Sequence, residues 1–413
     1  MNNNCVWLTN GLYISPKDKE GKISNIKSCC RAKHDKISFH SLEQDQYLQN
    51  LSISSELISE HVSKLNEQKY NYQKLKDSVC RICASEEKSQ KRSMRIGSNS
   101  LYGNKIKQPG KIQLLGIAFG NFCNFKCRYC VPKFSTSWNK DIPEMEKFKN
   151  QPVYNLFDYY GYSTFKMNEF DTFNYEKWVI GQLEKQDLTD LLEVGVFGGE
   201  PFMMRHWEQF IELLHEKSTL SNIKIEISTN ASVIPNKRIV ELLSRFKEVE
   251  LRISVEAVDK LAEYVRTGLN WNTLQKNIKK WQEIAKEHSN IWTRIHMANN
   301  VYNINKVLDF EEWLLDMNLN HNVVVAYVYD PEILDPRNCL TKPQLTECIK
   351  RIQSSKIPQI KKELVGILEN VSADSQSQKK FQNKLTQFTT AMDKIRNTKL
   401  KDVNLELWEW INE

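Results

Sequence analysis

Cys123, Cys127 and Cys130, in the stretch Cys123-Asn-Phe-Lys-Cys127-Arg-Tyr-Cys130, are separated by three and then two residues. Three thiolates spaced this closely can each take one iron of a [4Fe–4S] cube and leave the fourth iron open to a small chelating ligand. A structural zinc site is the plain alternative, but it asks for a fourth protein ligand, and no nearby His or Cys supplies one. The chain holds ten cysteines in 413 residues, and eight of them fall in its first third. Thiols clustered in this way in a reducing compartment point to metal or redox chemistry rather than to disulfides.

A second set lies upstream. Cys80-Arg-Ile-Cys83 is followed by Glu86, Glu87, Ser93 and Arg95, and preceded by Cys5 and the pair Cys29-Cys30. Four donors can be assembled from Cys5, Cys80, Cys83 and one of the adjacent pair, taken here as Cys29 with Cys30 the alternative. Such a set suits zinc or an iron–sulfur cluster, and spacing does not separate the two. Of the remaining thiols, Cys348 reads as a small core residue. Cys339 follows the last expected strand, near the expected substrate mouth, and is the candidate catalytic hydrogen-atom donor.

Elements must position these groups. From Ile112 onward, short β-like runs at 112–120, 191–199, 222–230, 249–257, 291–299 and 322–330 alternate with helical patterns. That alternation predicts a parallel sheet with helices packed outside it. Six β–α units over about 220 residues fall short of an eight-fold barrel, which takes about 250. The expectation is therefore an α/β fold with a partial (β/α)6 TIM-like barrel over 112–340, and an insertion between its first two strands. A cysteine-rich α+β segment spans 1–111, with a strand-like run at 7–15 and an amphipathic helix from about Ser41 to Lys76. Residues 341–413 form a charged, helical C-terminal segment that docks through Trp408 and Trp410.

The three-cysteine loop, its place directly after the first barrel strand, and Tyr129 before the last cysteine resemble the radical S-adenosylmethionine (SAM) enzymes. Gly198-Gly199-Glu200-Pro201 at the second strand end resembles that family's GGE motif. There the resemblance implies backbone and carboxylate contacts to the SAM amino group, with glycine permitting close approach and Glu200 accepting from an ammonium. Ser228 and Asn230 end the third strand, where barrel sites are built. Ser254 and Glu256 stand where the family holds SAM ribose or carboxylate contacts, and Arg266 is placed to pair with the SAM carboxylate. Asn299, Asn300 and Asn303, after the fifth strand, are weaker candidates. The N-terminal cysteines, with Glu86-Glu87 and Ser93-x-Arg95, resemble the SPASM/twitch subgroup in the variant whose extra cysteines precede the barrel. This implies an auxiliary [4Fe–4S] cluster. The subgroup's glycine between those two elements is replaced by Gln90-Lys91-Arg92.

Composition narrows the function classes. Forty per cent hydrophobic and 26% charged residues exclude wholesale disorder. No run approaches the roughly 20 apolar residues of a membrane span, and the first residues lack the basic start and apolar run of a secretory signal. A cytoplasmic protein is expected. Residues 1–111 carry 19 Lys and Arg against 11 Asp and Glu within a net charge of +7, but no compact basic block or known nucleic-acid module appears, so nucleic acid is not favoured. The resemblance implies reductive cleavage of SAM, fed by an external flavodoxin- or ferredoxin-like one-electron donor, and hydrogen abstraction from a peptide or small-molecule substrate. The alternatives are the same chemistry on a nucleotide, nucleic acid or sugar, and a non-enzymatic iron–sulfur electron carrier or sensor.

Overall fold

Along Lys224–Thr229 and Ile291–Asn299, buried residues alternate strictly with half-buried ones. This is the period-two signature of a strand with one face on a core. A computed structural model describes residues 5–16, 24–27, 83, 86–87, 93–106, 111–162, 169–369 and 375–412. The helix expected over 41–76 and the residues Cys29, Cys30, Cys80 and 90–92 lie outside them.

Eight strands form one sheet: β1 (Gly11–Pro16), β2 (Ser24–Lys27), β3 (Leu114–Ala118), β4 (Glu193–Phe197), β5 (Lys224–Thr229), β6 (Glu248–Ser254), β7 (Ile291–Asn299) and β8 (Val323–Tyr327). Their order is β2-β1-β3-β4-β5-β6-β7-β8. From β1 to β8 every pairing is parallel, and only β2 runs antiparallel, beside β1. Strands β3 to β8 are the six expected. The added strand is β1, paired Gly11 to Leu114 through Ile14 to Ile117. The strand-like run at 7–15 thus divides into a short helix, Val6–Asn10, and a strand that extends the barrel sheet. Among the described residues no ladder joins β8 back to β2, so the sheet stays open.

Helices cover the outer face. The helix Trp271–Glu287 is representative: Asn270 caps it by accepting from the Thr273 amide, and Trp271, Leu274, Ile278, Trp281 and Ile284 make one buried stripe. The connection between β3 and β4 carries the helices Ile142–Glu146, Pro152–Tyr159 and Glu169–Leu183. After β8 the chain is helical, ending in Ser375–Arg396 and Leu405–Asn412. No helix of the described residues is long and apolar enough to cross a membrane.

The inner face departs from the usual apolar parallel sheet. Lys224, Glu226, Glu250, Arg252 and Arg294 share it near the N-terminal strand ends. Lys224 lies 2.6 Å from Glu250 and 3.1 Å from Glu226, Arg252 lies 2.7 Å from Glu226 and 2.8 Å from Glu250, and Arg294 lies 3.0 Å from Glu250. Burial alone would push Glu250 up, but Arg252 and Lys224 hold it at about 2. Glu193 behaves oppositely: burial, with the charge of Glu226, raises it to about 7. The Tyr102 hydroxyl donates to it.

Candidate SAM and iron–sulfur site

β3 delivers the cysteine loop to the C-terminal end of the sheet, and backbone contacts fix its course. The Lys126 amide donates to Thr267 O at 2.9 Å and the Arg128 amide to Val265 O at 2.8 Å. Ser137 Oγ donates to Cys123 O at 2.7 Å, and Ser135 Oγ to Phe125 O. Cys127 is buried and its two neighbours are half-buried. Burial pushes all three thiols up, Cys123 to about 12, and the Cys127 charge adds to the effect on Cys123 and Cys130. They therefore lie close together and carry a strong demand for positive charge. Among the described residues no three Cys, His, Asp or Glu side chains converge as on a single ion.

The strand ends close around this loop. Gly198 and Gly199 hold φ of +78° and +58°, in the left-handed region, and a Cβ on Gly199 would stand 2.6 Å from Phe122 O. The Glu200 amide donates to that same carbonyl at 2.8 Å. Glycine is required here for the turn and for packing against the cysteine loop. Glu200 itself is fully buried. Its oxygens accept from Thr229 Oγ1 at 2.7 Å, the Asn230 amide at 2.7 Å and the Phe202 amide at 3.2 Å. Burial raises its carboxyl, against those three bonds. Glu200 thus ties the end of β4 to the end of β5. Thr229, between Ser228 and Asn230 at this polar strand end, makes the contact, while Ser228 lies half-buried on the inner face. Asn230 turns toward the loop, its Nδ2 donating to Asn124 Oδ1 at 3.0 Å and lying 3.7 Å from Cys123 Sγ.

Buried Arg266 and Glu256 form a triad with half-buried Tyr129. Arg266 Nη1 donates to Glu256 Oε2 at 2.7 Å and to the Tyr129 hydroxyl at 2.6 Å. The guanidinium lowers the pKa of all three cysteines, against their burial. Glu256 Oε1 and Arg266 Nε are buried with no hydrogen-bond partner among the described residues. Buried polar atoms of native proteins nearly always have partners, and these two stand open to a polar group beside the cysteine loop. Asn303 Nδ2 donates to the Glu256 backbone carbonyl at 2.7 Å, and Asn300 Nδ2 to Ala298 O at 2.9 Å. These asparagines shape the adjoining loop. Ser254 is half-buried, in register with His296.

Cys339 corrects the expectation of a thiol at the mouth. It is 1% exposed, packed in the hydrophobic core, and donates to Ile333 O at 3.1 Å. Burial drives its pKa well up. A short helix, Pro336–Cys339, turns this side chain inward.

Of the N-terminal set, Cys5 and Cys83 are described, and both are buried. Glu87 Oε1 accepts from Ser93 Oγ at 2.5 Å and from Arg95 Nε at 3.0 Å. Ser93 in turn caps the helix Met94–Tyr102. Arg95, held above its ordinary value chiefly by Glu87, interacts electrostatically with Cys5 and Cys83 as well. Glu87, Ser93 and Arg95 therefore form one hydrogen-bonded unit whose cation interacts electrostatically with two buried thiols.

Among curated proteins, radical SAM cyclopropyl synthase TigE of Paramaledivibacter caminithermalis is 26% identical over 223 residues, covering 53% of this chain and 42% of that protein. The chain thus spans less than half the length of that relative. Among solved structures, native anSMEcpe with bound AdoMet and Cp18Cys peptide matches with a TM-score of 0.33 and 14% identity, over 70% of this chain and 62% of that one. Streptococcus suis SuiB bound to S-adenosylmethionine matches at 0.34 and 16%, over 58% and 43%. Residues 117–314 match the model of the radical SAM superfamily. Residues 117–314 of the chain therefore form a radical SAM domain.

Proposed function

We propose that the chain is an enzyme that reductively cleaves SAM and abstracts hydrogen from a peptide or protein side chain, assisted by an auxiliary [4Fe–4S] cluster. The observation that carries the SAM reading is the triad beside the cysteine loop, with Glu256 Oε1 and Arg266 Nε buried and left without partners among the described residues. Cys123, Cys127 and Cys130 would hold the cluster, with Arg266 offsetting its thiolate charge and Asn230 beside Cys123. Glu256 offers a free carboxylate oxygen to an ammonium or hydroxyl, and Arg266 a free N–H to a carboxylate. When bound, the cluster and SAM supply a 5′-deoxyadenosyl radical able to remove an unactivated hydrogen atom. The protein's part is to hold these groups and exclude water, and the buried Phe125 and Cys127 line the loop accordingly, with half-buried Tyr129 beside them.

The peptide substrate and the auxiliary cluster are supported by the resemblance of Cys5, Cys29, Cys80, Cys83, Glu87, Ser93 and Arg95 to the SPASM/twitch pattern, and by the unit that Glu87, Ser93 and Arg95 build beside Cys5 and Cys83. The fold's helical tail over 341–413 and the cysteine-rich segment over 1–111 are the two flanks of the barrel in this reading. An external one-electron reductant of the flavodoxin or ferredoxin kind completes it.

The test is anaerobic reconstitution with SAM and dithionite. Wild-type protein is expected to release 5′-deoxyadenosine, and Cys127→Ala to release none and to lose about four irons per chain. Cleavage by Cys127→Ala at the wild-type rate rejects the assignment. A stoichiometric cluster without 5′-deoxyadenosine from wild type supports an electron carrier instead.

A further inference from the structure

The helix Ser375–Arg396 ends against the cysteine loop, which it meets through an ion pair spanning 265 residues of sequence. Its last residue, Arg396, has a side chain only 1% exposed. Arg396 Nε donates to Asp141 Oδ2 at 2.9 Å and Nη1 to Thr267 Oγ1 at 3.2 Å, with the guanidinium over the Trp138 ring. Both partners also hold Lys126, the residue before Cys127. Asp141 pairs with its ammonium, and Thr267 O accepts its amide. The residue after Cys127 is gripped by the same turn. Fully buried Arg128 donates through Nη2 to Asp393 Oδ1 at 2.6 Å and Thr398 Oγ1 at 2.8 Å, and its guanidinium lies 3.7 Å from the Tyr264 ring centroid.

Charge does not balance at this contact. Among the described residues, Lys126, Arg128 and Arg396 form ion pairs with Asp141 and Asp393 alone, and one nitrogen of each arginine, Nη1 of Arg128 and Nη2 of Arg396, is buried without a partner. Burial lowers Arg396 to about 10, with Asp141 and Cys127 acting to raise it. A surplus cation in a poorly screened interior favours whichever neighbouring state carries more negative charge. Net charge near a cluster is one of the protein's means of setting its potential.

We propose that the last turn of this helix, through Arg396 and Asp393, sets the net charge behind Cys127 and thereby how readily the cluster held by the three cysteines accepts an electron. The proposal rests on the cluster assignment made above. Arg396 is a positioning residue in this scheme, and its charge does the tuning.

The experiment is a redox titration of the anaerobically reconstituted full chain, following the electron paramagnetic resonance signal that SAM perturbs, with iron counted in parallel. Arg396→Met is expected to keep its iron and to shift the midpoint potential downward, and Arg396→Lys, which keeps the charge, to recover most of that shift. Asp393→Asn leaves Arg128 uncompensated and is expected to move the midpoint upward. An unmoved midpoint in iron-replete Arg396→Met overturns the proposal, as does an equal shift in Arg396→Lys. Where Arg396→Met loses iron, Asp393→Asn decides: an upward shift supports the proposal, and no shift or a downward one overturns it. Absence of any SAM-perturbed signal in wild type rejects the site assignment instead, so the two failures are distinguishable.

Discussion

The two ends of the same strands treat charge in opposite ways. At the N-terminal ends, Lys224, Glu226, Glu250, Arg252 and Arg294 pair with one another until each cation has a carboxylate within about 3 Å. At the C-terminal ends, Glu256 and Arg266 pair with each other and still retain a buried oxygen and nitrogen with no partner among the described residues. A network that satisfies itself has nothing left for a ligand, and one that leaves valences open pays an unmet desolvation cost until a ligand arrives. This matches the general division of parallel barrels, where chemistry gathers at the C-terminal face and stability at the other.

The comparison breaks first at Glu250, which is fully buried and contacts three cations. Glu250→Gln keeps the shape and removes the charge that Lys224, Arg252 and Arg294 share. Removing one partner of a buried ionic set costs about 3–5 kcal/mol. Denaturant unfolding should show a loss of that order, while SAM affinity of the loaded protein stays at the wild-type value. A matching loss of SAM affinity would mean that the two ends are one functional unit.

Glu193 sharpens the same end through pH. Its carboxyl rises from an ordinary 4.5 to about 7 in the fold, first through burial and then through Glu226. The folded state therefore favours the neutral acid. That contribution is complete below about pH 4.5 and is lost as pH rises through about 7, an effect on the order of 2 kcal/mol. Glu193→Gln keeps an acceptor for Tyr102 but cannot ionise. Wild type should lose stability between pH 5 and 7.5 relative to this variant, as measured by urea unfolding at both values. Parallel behaviour of the two proteins would show that Glu193 is already ionised in the fold.

How much of this was legible in the sequence depends on the range of the interaction. β3 to β8 announce themselves through local alternation, and the cysteine loop through spacing, because both signals lie within a few residues. Gly198 and Gly199 were legible as glycines, but the reason is the close approach of Ala118 and Gly120 to the first and of Phe122 to the second, which no local pattern reveals. The run at 7–15 was misread as one strand because its apolar content suits both states. Its division into helix and β1 follows from pairing with β3, about a hundred residues later. Cys339 was placed at a mouth by chain order, whereas the short helix after Asp335 turns it into the core. Arg128 and Arg396 gave no signal at all. A cation among cysteine ligands usually reads as a solvated residue, and only the tertiary fold brings Asp393 and Asp141 to meet them.

The smallest expected effect tests the open end directly. Glu256 Oε2 is occupied by Arg266, so any ligand contact falls to Oε1. Glu256→Gln retains the side chain's size and removes its charge. Arg266 stays within electrostatic reach of the three cysteine thiolates, so the loaded protein still supplies that cation with anionic neighbours. The loss of stability should therefore be smaller than for Glu250→Gln. SAM binding should weaken about tenfold, about 1.4 kcal/mol, the scale of one charge-assisted hydrogen bond. Equilibrium titration of SAM into iron-replete protein measures it. If Glu256→Gln unfolds as readily as Glu250→Gln and binds SAM as tightly as wild type, the unpartnered oxygen has no ligand role, and the contrast between the two strand ends is one of packing alone.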